Sequence, residues 1–568
     1  MSRQIVVIGA VALGPKAACR FKRLEPESRV IMLDQSEFIS YGGCGIPYYV
    51  SGDISDASEL QATSFHMIRD PEFFQEAKGV EVRTRTRVLG IHREDKQLLV
   101  HDLGRDQKYY LEYDQLVLAT GSRANKPPIP GVDLPGVHPV TSLDQAIEVK
   151  NQIAGGEVNR AVVIGAGLIG LEMAEALTDL WGVETSVVEM APQVLPGFVS
   201  STLAGMVQRV MRDNEVAFYT REQVLEISGR DRVQKVKTDQ RELEADMVVL
   251  AAGVQPNSEL AQEAGLEVSS QGAVVVDKYL RTSDPSIFAG GDCVQTENLV
   301  TGGPGYFPMG SMANRQGRVI GTNLAGGEDV FPGAAGCFIV KTFDHAVAGV
   351  GLSPEAARNQ GYDVTSALVA QFDKSHFYPE KDMLHLELAV ESSTGRVLGM
   401  QGVCSNGESL KSRVDAVSSI LPYKPTTKDL SNLEVSYSPP FGSAMDALNN
   451  LGNTAENILQ GWNRGVGPEE FARMWEERGS RNLVFMDCRG ADNALPLVEK
   501  YPDKWVHVQN ETLEDNLDQV PRAETLVLVC NSGGRSYEAQ LKLARRGITN
   551  TLNLHGGMAM LKKWGMEL

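Results

Sequence analysis

The stretch that decides the fold is Ala161-Val-Val-Ile-Gly165-Ala-Gly167-Leu-Ile-Gly170-Leu-Glu-Met-Ala-Glu. An apolar run that ends in G-x-G-x-x-G before helix-forming residues predicts a strand, a tight turn and a helix. In a dinucleotide site these glycines permit the turn, the close approach of backbone to pyrophosphate and the packing of helix on strand. Thr185-Ser-Val-Val-Glu189 follows, and a Glu there accepts from ribose hydroxyls and repels a 2′-phosphate, so we predict NADH rather than NADPH. The candidate NADH residues are Gly165, Gly167, Gly170, Glu189 and Gly253.

A second opening of this kind, Ile5-Val-Val-Ile-Gly9, lies near the N-terminus, and Val11 replaces its middle glycine. Such a degenerate motif alone is equally compatible with a packing glycine in any βαβ unit. Two openings in series, with glycines at further strand ends, favour one flavin site and one nicotinamide site. The candidate FAD residues are Gly9, Ala12, Gly14, Asp34, Thr120, Gly121, Gly291 and Asp292.

Length and charge bound the remaining possibilities. At about 150 residues per domain, 568 residues predict three to four domains. The formal net charge of −19 argues against a nucleic-acid binder, which needs a basic surface. Seven scattered cysteines indicate a reducing compartment, and no apolar run reaches the roughly 18 residues of a membrane span. We therefore expect a cytoplasmic enzyme with no membrane or nucleic-acid partner and no metal site.

Residues 1 to about 445 resemble the pyridine nucleotide-disulfide oxidoreductases, in the branch that holds coenzyme A-disulfide reductase and NADH oxidase. The two glycine motifs and Ile287-Phe-Ala-Gly-Gly-Asp292 carry the resemblance. It implies that FAD binds at the first motif, with Asp292 on its ribityl chain, and that the nicotinamide cofactor binds at the second.

Cys44 is the candidate redox thiol. It lies in Ser40-Tyr-Gly-Gly-Cys44-Gly-Ile-Pro-Tyr, which resembles the branch motif S-F-x-N-C-G-x-P-Y but has Tyr41 and Gly43 in place of Phe and Asn. Without the second cysteine of a C-x4-C pair, Cys44 must cycle through a mixed disulfide or an oxidised sulfur. The first chemistry suits a disulfide or persulfide reductase, and the second suits an oxidase or peroxidase.

A coenzyme A site is indicated by basic residues spaced along one helix face, although a solvated face would have the same spacing. Gly310-Ser-Met-Ala-Asn-Arg-Gln-Gly-Arg318 resembles a coenzyme A-contacting stretch of the reductase branch. Tyr437, in a Y-x-P-P segment, is by resemblance a proton donor that reaches the partner subunit's active site, which implies a homodimer. The candidate coenzyme A residues are Lys16, Arg20, Arg23, Ser40, Asn314 and Arg318.

The C-terminal stretch carries a second candidate thiol in Cys530-Asn-Ser-Gly-Gly-Arg535-Ser, after an apolar run and before a helix. Backbone N–H groups at a helix N-terminus stabilise a thiolate there. Residues 468–568 resemble the rhodaneses, with the C-x-x-G-x-R-S loop, a D-x-R strand end and a closing L-x-G-G signature. A phosphatase C-x5-R loop would be one residue longer, and an inactive rhodanese-like module stays possible on the sequence alone.

Together these features predict an α/β protein with two Rossmann-like nucleotide-binding domains, an α+β dimerisation domain and a C-terminal rhodanese-like α/β domain. The expected boundaries are 1–148 with 255–325 for FAD, 149–254 for NADH, 326–450 for dimerisation, 451–467 for a linker and 468–568 for the rhodanese-like domain. The catalytic candidates are Cys44, Cys530, Tyr437 and Arg535.

The expected activity is NADH-dependent reduction of coenzyme A persulfide, disulfide or polysulfide through FAD, with sulfur transfer at Cys530 and release of hydrogen sulfide and free thiol. Two alternatives remain open: an NADH oxidase or peroxidase that uses a Cys44 sulfenic acid, and a reductase that docks a sulfur-carrier protein through a non-catalytic rhodanese-like module.

Overall fold

The computed structural model describes residues 2–568, which form two compact units. The first unit comprises Met1–Met190 with Glu215–Ala334, and the second comprises Ala191–Asn214 with Ala335–Leu568. Among residues 2–568, no helix is long and apolar enough to cross a membrane.

Two five-stranded parallel sheets form the core of the first unit. Their central strands are continuous buried apolar runs, as expected where helices cover both faces of a sheet. In spatial order, the first sheet contains Ile287–Ala289, Gln115–Leu118, Gln4–Ile8, Arg29–Leu33 and Glu81–Arg83. The second contains Ala217–Thr220, Glu184–Glu189, Arg160–Ile164, Met247–Leu250 and Val137–His138. These sheets confirm the predicted pair of Rossmann-like folds.

Smaller sheets and helices complete the first unit. The antiparallel strands are Thr86–His92, Gln97–Asp102 and Gln107–Glu112; Val224–Ser228, Lys235–Thr238 and Glu242–Glu244; and Ser122–Ala124 with Val254–Pro256. A further sheet contains Val274–Val275, Val294–Glu297 and Pro304–Gly305. The helices are Leu13–Leu24, Ile46–Ser51, Ala57–Gln61, Pro71–Phe73, Phe74–Lys78, Leu143–Ala154, Leu168–Thr178, Glu259–Glu263 and Gly310–Leu324, with 3₁₀ turns at Gly43–Gly45 and Gly291–Cys293.

An antiparallel five-stranded sheet lies in the second unit, within its Ala335–Leu568 segment. Its order is Phe338–Thr342, His345–Gly351, Val397–Cys404, Met383–Glu391 and Val364–Phe372. The Val397–Cys404 strand is buried along its whole length. The accompanying helices are Ser201–Asp213, Pro354–Asn359, Gly407–Ile420, Leu421–Tyr423, Thr427–Ser431 and Ala447–Leu459.

A parallel sheet forms the C-terminal part of the second unit. Its order is Gly465–Val466, Thr551–Leu554, Thr525–Val529, Leu483–Asp487 and Trp505–His507. Side chains alternate between two apolar clusters along the central strands, because successive residues of a strand point to opposite faces. The helices are Pro468–Glu477, Ala491–Lys500, Asn510–Asp515, Leu517–Gln519, Gly534–Arg545 and Gly557–Trp564.

The segment 451–467, predicted as a linker, is largely regular structure. Helix Ala447–Leu459 occupies half of it, and strand Gly465–Val466 lies at its end. Asp446 and Asn449, just before this segment, form a capping box, and Asn449 Nδ2 also donates to the carbonyl of Leu433 at 2.9 Å. The Asn449 side chain therefore stabilises the start of the helix that runs into this segment.

Candidate functional site

The second nucleotide motif folds into a strand, a glycine turn and a helix start. Gly165 has φ +105°, a conformation that favours glycine, and a Cβ on Gly170 would collide with the Gly165 carbonyl oxygen. Gly167 caps helix Leu168–Thr178 and has open space where a side chain would be. Glu189 Oε2 accepts from the Ala166 N–H at 2.8 Å, which places the carboxylate at the turn. Gly253, at φ +87°, leaves similar space at the next strand end. The turn thus presents backbone N–H groups and a carboxylate, as a dinucleotide requires.

The first motif repeats this geometry despite Val11. Gly9 has φ +104°, and a Cβ on Gly14 would collide with the Gly9 carbonyl oxygen. Ala12 is the N-cap residue of helix Leu13–Leu24, which has no acidic residue in its first turn. Asp34 accepts from the Ala10 N–H at 2.8 Å and from the Ser36 N–H at 2.9 Å, while burial raises the pKa of the Asp34 carboxyl.

The remaining flavin candidates differ in whether their polar groups are already used in hydrogen bonds within the fold. Asp292 accepts from the Ser122 hydroxyl at 3.0 Å, and burial raises the pKa of its carboxyl. Gly291, at φ +77°, and Gly121, at φ +67°, adopt conformations that favour glycine. Thr120, in contrast, uses its hydroxyl within the fold, donating to the Asn257 carbonyl at 2.6 Å. These features fit FAD. Glycine turns leave space that a Cβ would occupy, and the buried Asp292 carboxyl can pair with a hydroxyl group.

Cys44 lies in the 3₁₀ turn Gly43–Gly45, directly before helix Ile46–Ser51, and is exposed. Its Sγ is 3.5 Å from the position that a Cβ on Gly310 would take, at the N-terminus of helix Gly310–Leu324. Desolvation of the sulfur raises the pKa of the Cys44 thiol, and the carboxyls of Glu172 and Asp292 add to this. The Gly310 N–H opposes them, because a helix N-terminus favours a thiolate.

Glu172 is a neighbour of Cys44 that was not among the sequence candidates. It lies on helix Leu168–Thr178, and burial together with Glu175 raises the pKa of its carboxyl to about 7. The available signal was an acidic residue two positions after the last motif glycine, in an otherwise apolar helix start. The helix that follows the second glycine motif therefore places a titratable carboxyl, Glu172, near the Cys44 thiol.

The basic residues predicted for coenzyme A lie where two helices cross closely. Helices Leu13–Leu24 and Gly310–Leu324 approach through Gly317 and Gly321, where a Cβ would be only 2.9 Å and 2.6 Å from the Cβ atoms of Lys16 and Arg20, respectively. The glycine pair was missed from the sequence; its i, i+4 spacing is the signal. We name as the basic crossing Lys16, Arg20, Arg23 and Arg318.

Within residues 2–568, none of the four cations of the basic crossing forms an ion pair. Arg20 Nε donates to the Thr322 hydroxyl at 3.1 Å, and Arg23 Nε donates to the Cys19 carbonyl at 2.8 Å. Asn314 is exposed on the same helix as Arg318, with its Nδ2 donating to the Gly310 carbonyl at 2.8 Å. The crossing therefore holds positive charge available to an anion.

Two further candidates lie elsewhere. Ser40 is buried, with φ +50°, and its N–H donates to the Ala10 carbonyl at 2.7 Å, so it flanks the first glycine turn. Tyr437 is exposed in the second unit, in a segment that Ser375 anchors by donating its hydroxyl to the Gly442 carbonyl at 3.1 Å. Neither residue belongs to the basic crossing as described.

Cys530 lies between strand Thr525–Val529 and helix Gly534–Arg545 and is buried. The Gly533 N–H and the Ser536 hydroxyl each donate to its Sγ at 3.1 Å. Gly533 has φ +93°, which allows the chain to curl around the sulfur. The neighbouring Gly557 also leaves no room for a Cβ beside this loop. The loop is thus a preformed cradle for anionic sulfur. Ser536 is part of the motif in the sequence, but its role as a donor to the sulfur was not predicted.

Arg535 extends from the same loop but is half exposed and pairs with Glu511 at 3.6 Å. The buried arginine of this sheet end is Arg489, which makes a two-point contact with Asp487, at 2.9 and 2.7 Å. Trp505 Nε1 donates to the same carboxylate at 3.0 Å. Arg489 therefore fixes the strand end, and Arg535 stays at the mouth of the loop. Among residues 2–568, no group of three or more His, Cys, Asp or Glu side chains could hold a metal ion.

Three family models match successive parts of the chain. Residues 3–315 match the family model for pyridine nucleotide-disulphide oxidoreductases, residues 337–448 match the dimerisation domain of that family, and residues 468–563 match the rhodanese-like domain. A relative from Pyrococcus furiosus, described as an NAD(P)H sulfur oxidoreductase (CoA-dependent), is 34% identical over 446 residues, which are 78% of this chain and 97% of the relative.

Two solved structures cover nearly the whole chain. An NAD-dependent persulfide reductase from A. fulgidus has a TM-score of 0.92 and 36% identity, covering 98% of this chain and 99% of its own. The reduced Bacillus anthracis CoADR-RHD has a TM-score of 0.90 and 29% identity, covering 99% of this chain and 98% of its own. The predicted resemblances to both families and the predicted fold class are confirmed.

Proposed function

Since the chain belongs to the pyridine nucleotide-disulphide oxidoreductase family, we propose that it is an FAD-dependent NADH:coenzyme A persulfide, disulfide or polysulfide reductase with sulfurtransferase capacity. The proposal rests on one observation: the chain has two candidate thiols that lie in different surroundings. Cys44 is exposed beside a helix N-terminus in the nucleotide-binding unit, and Cys530 is cradled in a rhodanese-like loop.

The two glycine turns are assigned to the two nucleotides. Gly9, Ala12 and Gly14 would hold the pyrophosphate of FAD, while Asp34 and Asp292 would accept from its hydroxyls. Gly165, Gly167 and Gly170 would hold NADH, and Glu189 would accept from the ribose that bears no 2′-phosphate. Bound FAD would take a hydride equivalent from NADH and supply an electron pair to sulfur.

Cys44 would attack the sulfur–sulfur bond of the substrate and form a mixed disulfide with coenzyme A. The Gly310 N–H and the helix behind it favour the thiolate that this attack requires. Glu172 has a pKa of about 7, so it can hold or release a proton near this thiol at neutral pH.

The basic crossing supports the choice of coenzyme A as the thiol carrier. Its four cations suit the phosphate groups of that molecule, and the close approach of the two helices holds their backbones together. Asn314 would add a polar contact near the N-terminus of helix Gly310–Leu324. The acidic net charge of the whole chain makes this a local exception.

We further propose a cytoplasmic homodimer, supported by the match of residues 337–448 to a dimerisation domain. Large apolar or aromatic side chains are exposed in this part of the chain, as expected of an interface: Phe377, Tyr423, Tyr437, Phe441 and Met445. Tyr437 would then donate a proton to the leaving thiolate at the partner subunit's Cys44.

Cys530 would carry sulfane sulfur as a persulfide. Its two Sγ donors, Gly533 and Ser536, would stabilise the anionic sulfur before transfer, and Arg535 at the loop mouth would attract anionic sulfur donors. The sulfur would pass to a thiol acceptor, whose persulfide would be reduced at Cys44 to hydrogen sulfide and free thiol.

The test is anaerobic NADH oxidation with coenzyme A persulfide, followed together with sulfide release. We expect one sulfide for each NADH in the wild-type protein and neither product from Cys44→Ser. Full activity of Cys44→Ser would contradict the proposed mechanism. Rapid NADH consumption with oxygen and no thiol would instead favour the oxidase alternative, which the rhodanese-like domain makes less well supported.

A further inference from the structure

We propose that Cys488 is a resolving cysteine for Cys530: it attacks the Cys530 persulfide when no acceptor is present, releases hydrogen sulfide and leaves a Cys488–Cys530 disulfide. This inference rests on the proposed persulfide at Cys530. It assigns a redox-modification site to the second cysteine of the rhodanese-like domain.

The strand register places the two cysteines side by side. Strands Leu483–Asp487 and Thr525–Val529 are parallel neighbours, with Asp487 paired to Val529. One residue further along each strand are Cys488 and Cys530, and the Cys488 N–H donates to the Val529 carbonyl at 2.8 Å, so the pairing continues to this point. Neighbouring strands lie about 4.8 Å apart, within the roughly 4.4–6.8 Å that separates the Cα atoms of a disulfide.

Both sulfurs lie on the same face of the sheet. Met486, Cys488, Leu528 and Cys530 belong to one apolar cluster. The intervening Phe485, Val527 and Val529 pack with Trp505 in the cluster on the other face. Because side chains alternate along a strand, this division directs the Cys488 and Cys530 side chains to one side.

Cys488 is held back from premature reaction. It is fully buried, and its thiol makes a weak contact of 3.8 Å with the Met486 carbonyl. Burial raises the pKa of the Cys488 thiol, and the neighbouring Cys530, Asp487 and Glu511 raise it further, while a backbone hydrogen bond from Val529 acts in the opposite direction. Since the thiolate is the nucleophile, resolution is slow, and a thiol acceptor that reaches the persulfide first takes the sulfur.

The chemical step balances without an external oxidant. The Cys488 sulfur attacks Cys530 Sγ, the bond between Cys530 Sγ and the terminal sulfur breaks, and its electron pair leaves with the terminal sulfur. The departing hydrosulfide takes the proton that Cys488 loses and becomes hydrogen sulfide. The Cys488 sulfur is oxidised and the terminal sulfur is reduced by the same amount.

The resulting disulfide needs a reductant, which we assign to two molecules of a low-molecular-weight thiol. They return both cysteines to thiols and leave as a symmetrical disulfide. This disulfide belongs to the class of compounds that the proposed NADH-dependent activity reduces, so the same enzyme can return it to thiol.

The experiment loads full-length Cys44→Ser protein anaerobically with inorganic polysulfide, removes the excess, and follows the chain without thiol or NADH. Cys44→Ser is used so that sulfur chemistry at Cys44 does not contribute. After alkylation and trypsin digestion, the two cysteines fall in separate peptides, 482–489 and 523–535, each with one cysteine. We expect these peptides to become disulfide-linked as sulfide appears, and faster as the pH is raised.

Adding Cys488→Ser or Cys488→Ala should lengthen the lifetime of the Cys530 persulfide at least about tenfold, whereas Cys404→Ser, at another buried cysteine, should not. An unchanged lifetime in both Cys488 variants, with no linked peptide in the parent, would overturn the inference and leave the proposed function intact.

If Cys530 takes up no sulfur in any variant, the sulfur-carrying part of the proposed function fails. A second measurement then decides the pairing alone: equilibration of the same proteins in a glutathione redox buffer. Linked peptides in the parent but not in the Cys488 variants would support the pair, and their absence at every potential would refute it.

Discussion

The two candidate thiols differ in their exposure and in the origin of the groups that surround the sulfur. Cys44 is exposed, and the groups that act on it come from distant parts of the chain: Glu172 from the second nucleotide motif, Asp292 and Gly310 from beyond it. Cys530 is buried, and its donors, Gly533 and Ser536, come from the six residues that follow it.

This difference indicates a division of labour. An exposed thiol with a raised pKa suits a site whose reactivity is completed by bound cofactor and substrate. A buried sulfur with two fixed donors is prepared before any substrate arrives.

Removing the sulfur of Cys44 should have the largest effect. We expect Cys44→Ser to lower NADH-dependent reduction of coenzyme A disulfide by about 1,000-fold or more, because the attacking nucleophile is lost. Sulfur transfer from thiosulfate or polysulfide to cyanide, measured as thiocyanate, should continue at the wild-type rate. Loss of both activities in a correctly folded variant would contradict the separation of the two sites.

Removing one donor from Cys530 should have an intermediate effect on sulfur transfer. Ser536→Ala deletes a hydrogen bond to sulfur, and bonds to charged groups contribute about 1.5–3 kcal/mol, so thiocyanate formation should fall about 10- to 100-fold. Ser532→Ala is the matched control, since Ser532 is exposed in the same loop. Equal effects of the two substitutions would show that the cradle does not act as proposed.

Neutralising the basic crossing should weaken coenzyme A recognition more moderately. We expect Arg318→Ala to raise the KM for coenzyme A disulfide about tenfold with little change in kcat, because an ionic contact is made equally in the bound and reacting states. Lys108→Ala, an exposed cation on strand Gln107–Glu112, should leave KM unchanged. A kcat effect without a KM effect would assign Arg318 to another role.

The smallest predicted effect concerns Glu172. Its carboxyl has a pKa of about 7, so above that pH its negative charge raises the pKa of Cys44. Glu172→Gln should therefore increase alkylation of Cys44 by iodoacetamide at pH 8 about 2- to 5-fold, and the difference should shrink at pH 6, where the wild-type carboxyl is already protonated.

Alkylation should be compared in Glu184→Gln, which changes an exposed glutamate on strand Glu184–Glu189. The interpretation requires that this control behave as wild type at both pH values. Slower alkylation of Glu172→Gln at pH 8 would contradict the electrostatic account.

What the sequence could predict follows from how local each signal is. The glycine turns were predictable because each collision that requires glycine occurs within a short motif or at the next strand end, as at Gly170 and Gly9. The Cys530 loop was predictable for the same reason, including Gly533, whose positive φ makes the curl possible.

The surroundings of Cys44 were less accessible to sequence reasoning. Glu172 and Gly310 reach the thiol only through folding, and nothing adjacent to Cys44 encodes them. The helix crossing at Gly317 and Gly321 likewise depends on two distant helices. The linker prediction at 451–467 did not anticipate the helix that runs into this segment, because the capping residues of that helix, Asp446 and Asn449, precede it.

The most direct test of the two-site account is a paired rate measurement on Cys530→Ser under anaerobic conditions. NADH oxidation is followed once with coenzyme A disulfide and once with polysulfide plus coenzyme A. The account predicts a wild-type rate with the disulfide and a strongly reduced rate of sulfide release from polysulfide. Equal loss with both substrates, or no loss with either, would contradict the proposal that Cys530 handles sulfane sulfur while Cys44 carries out reduction.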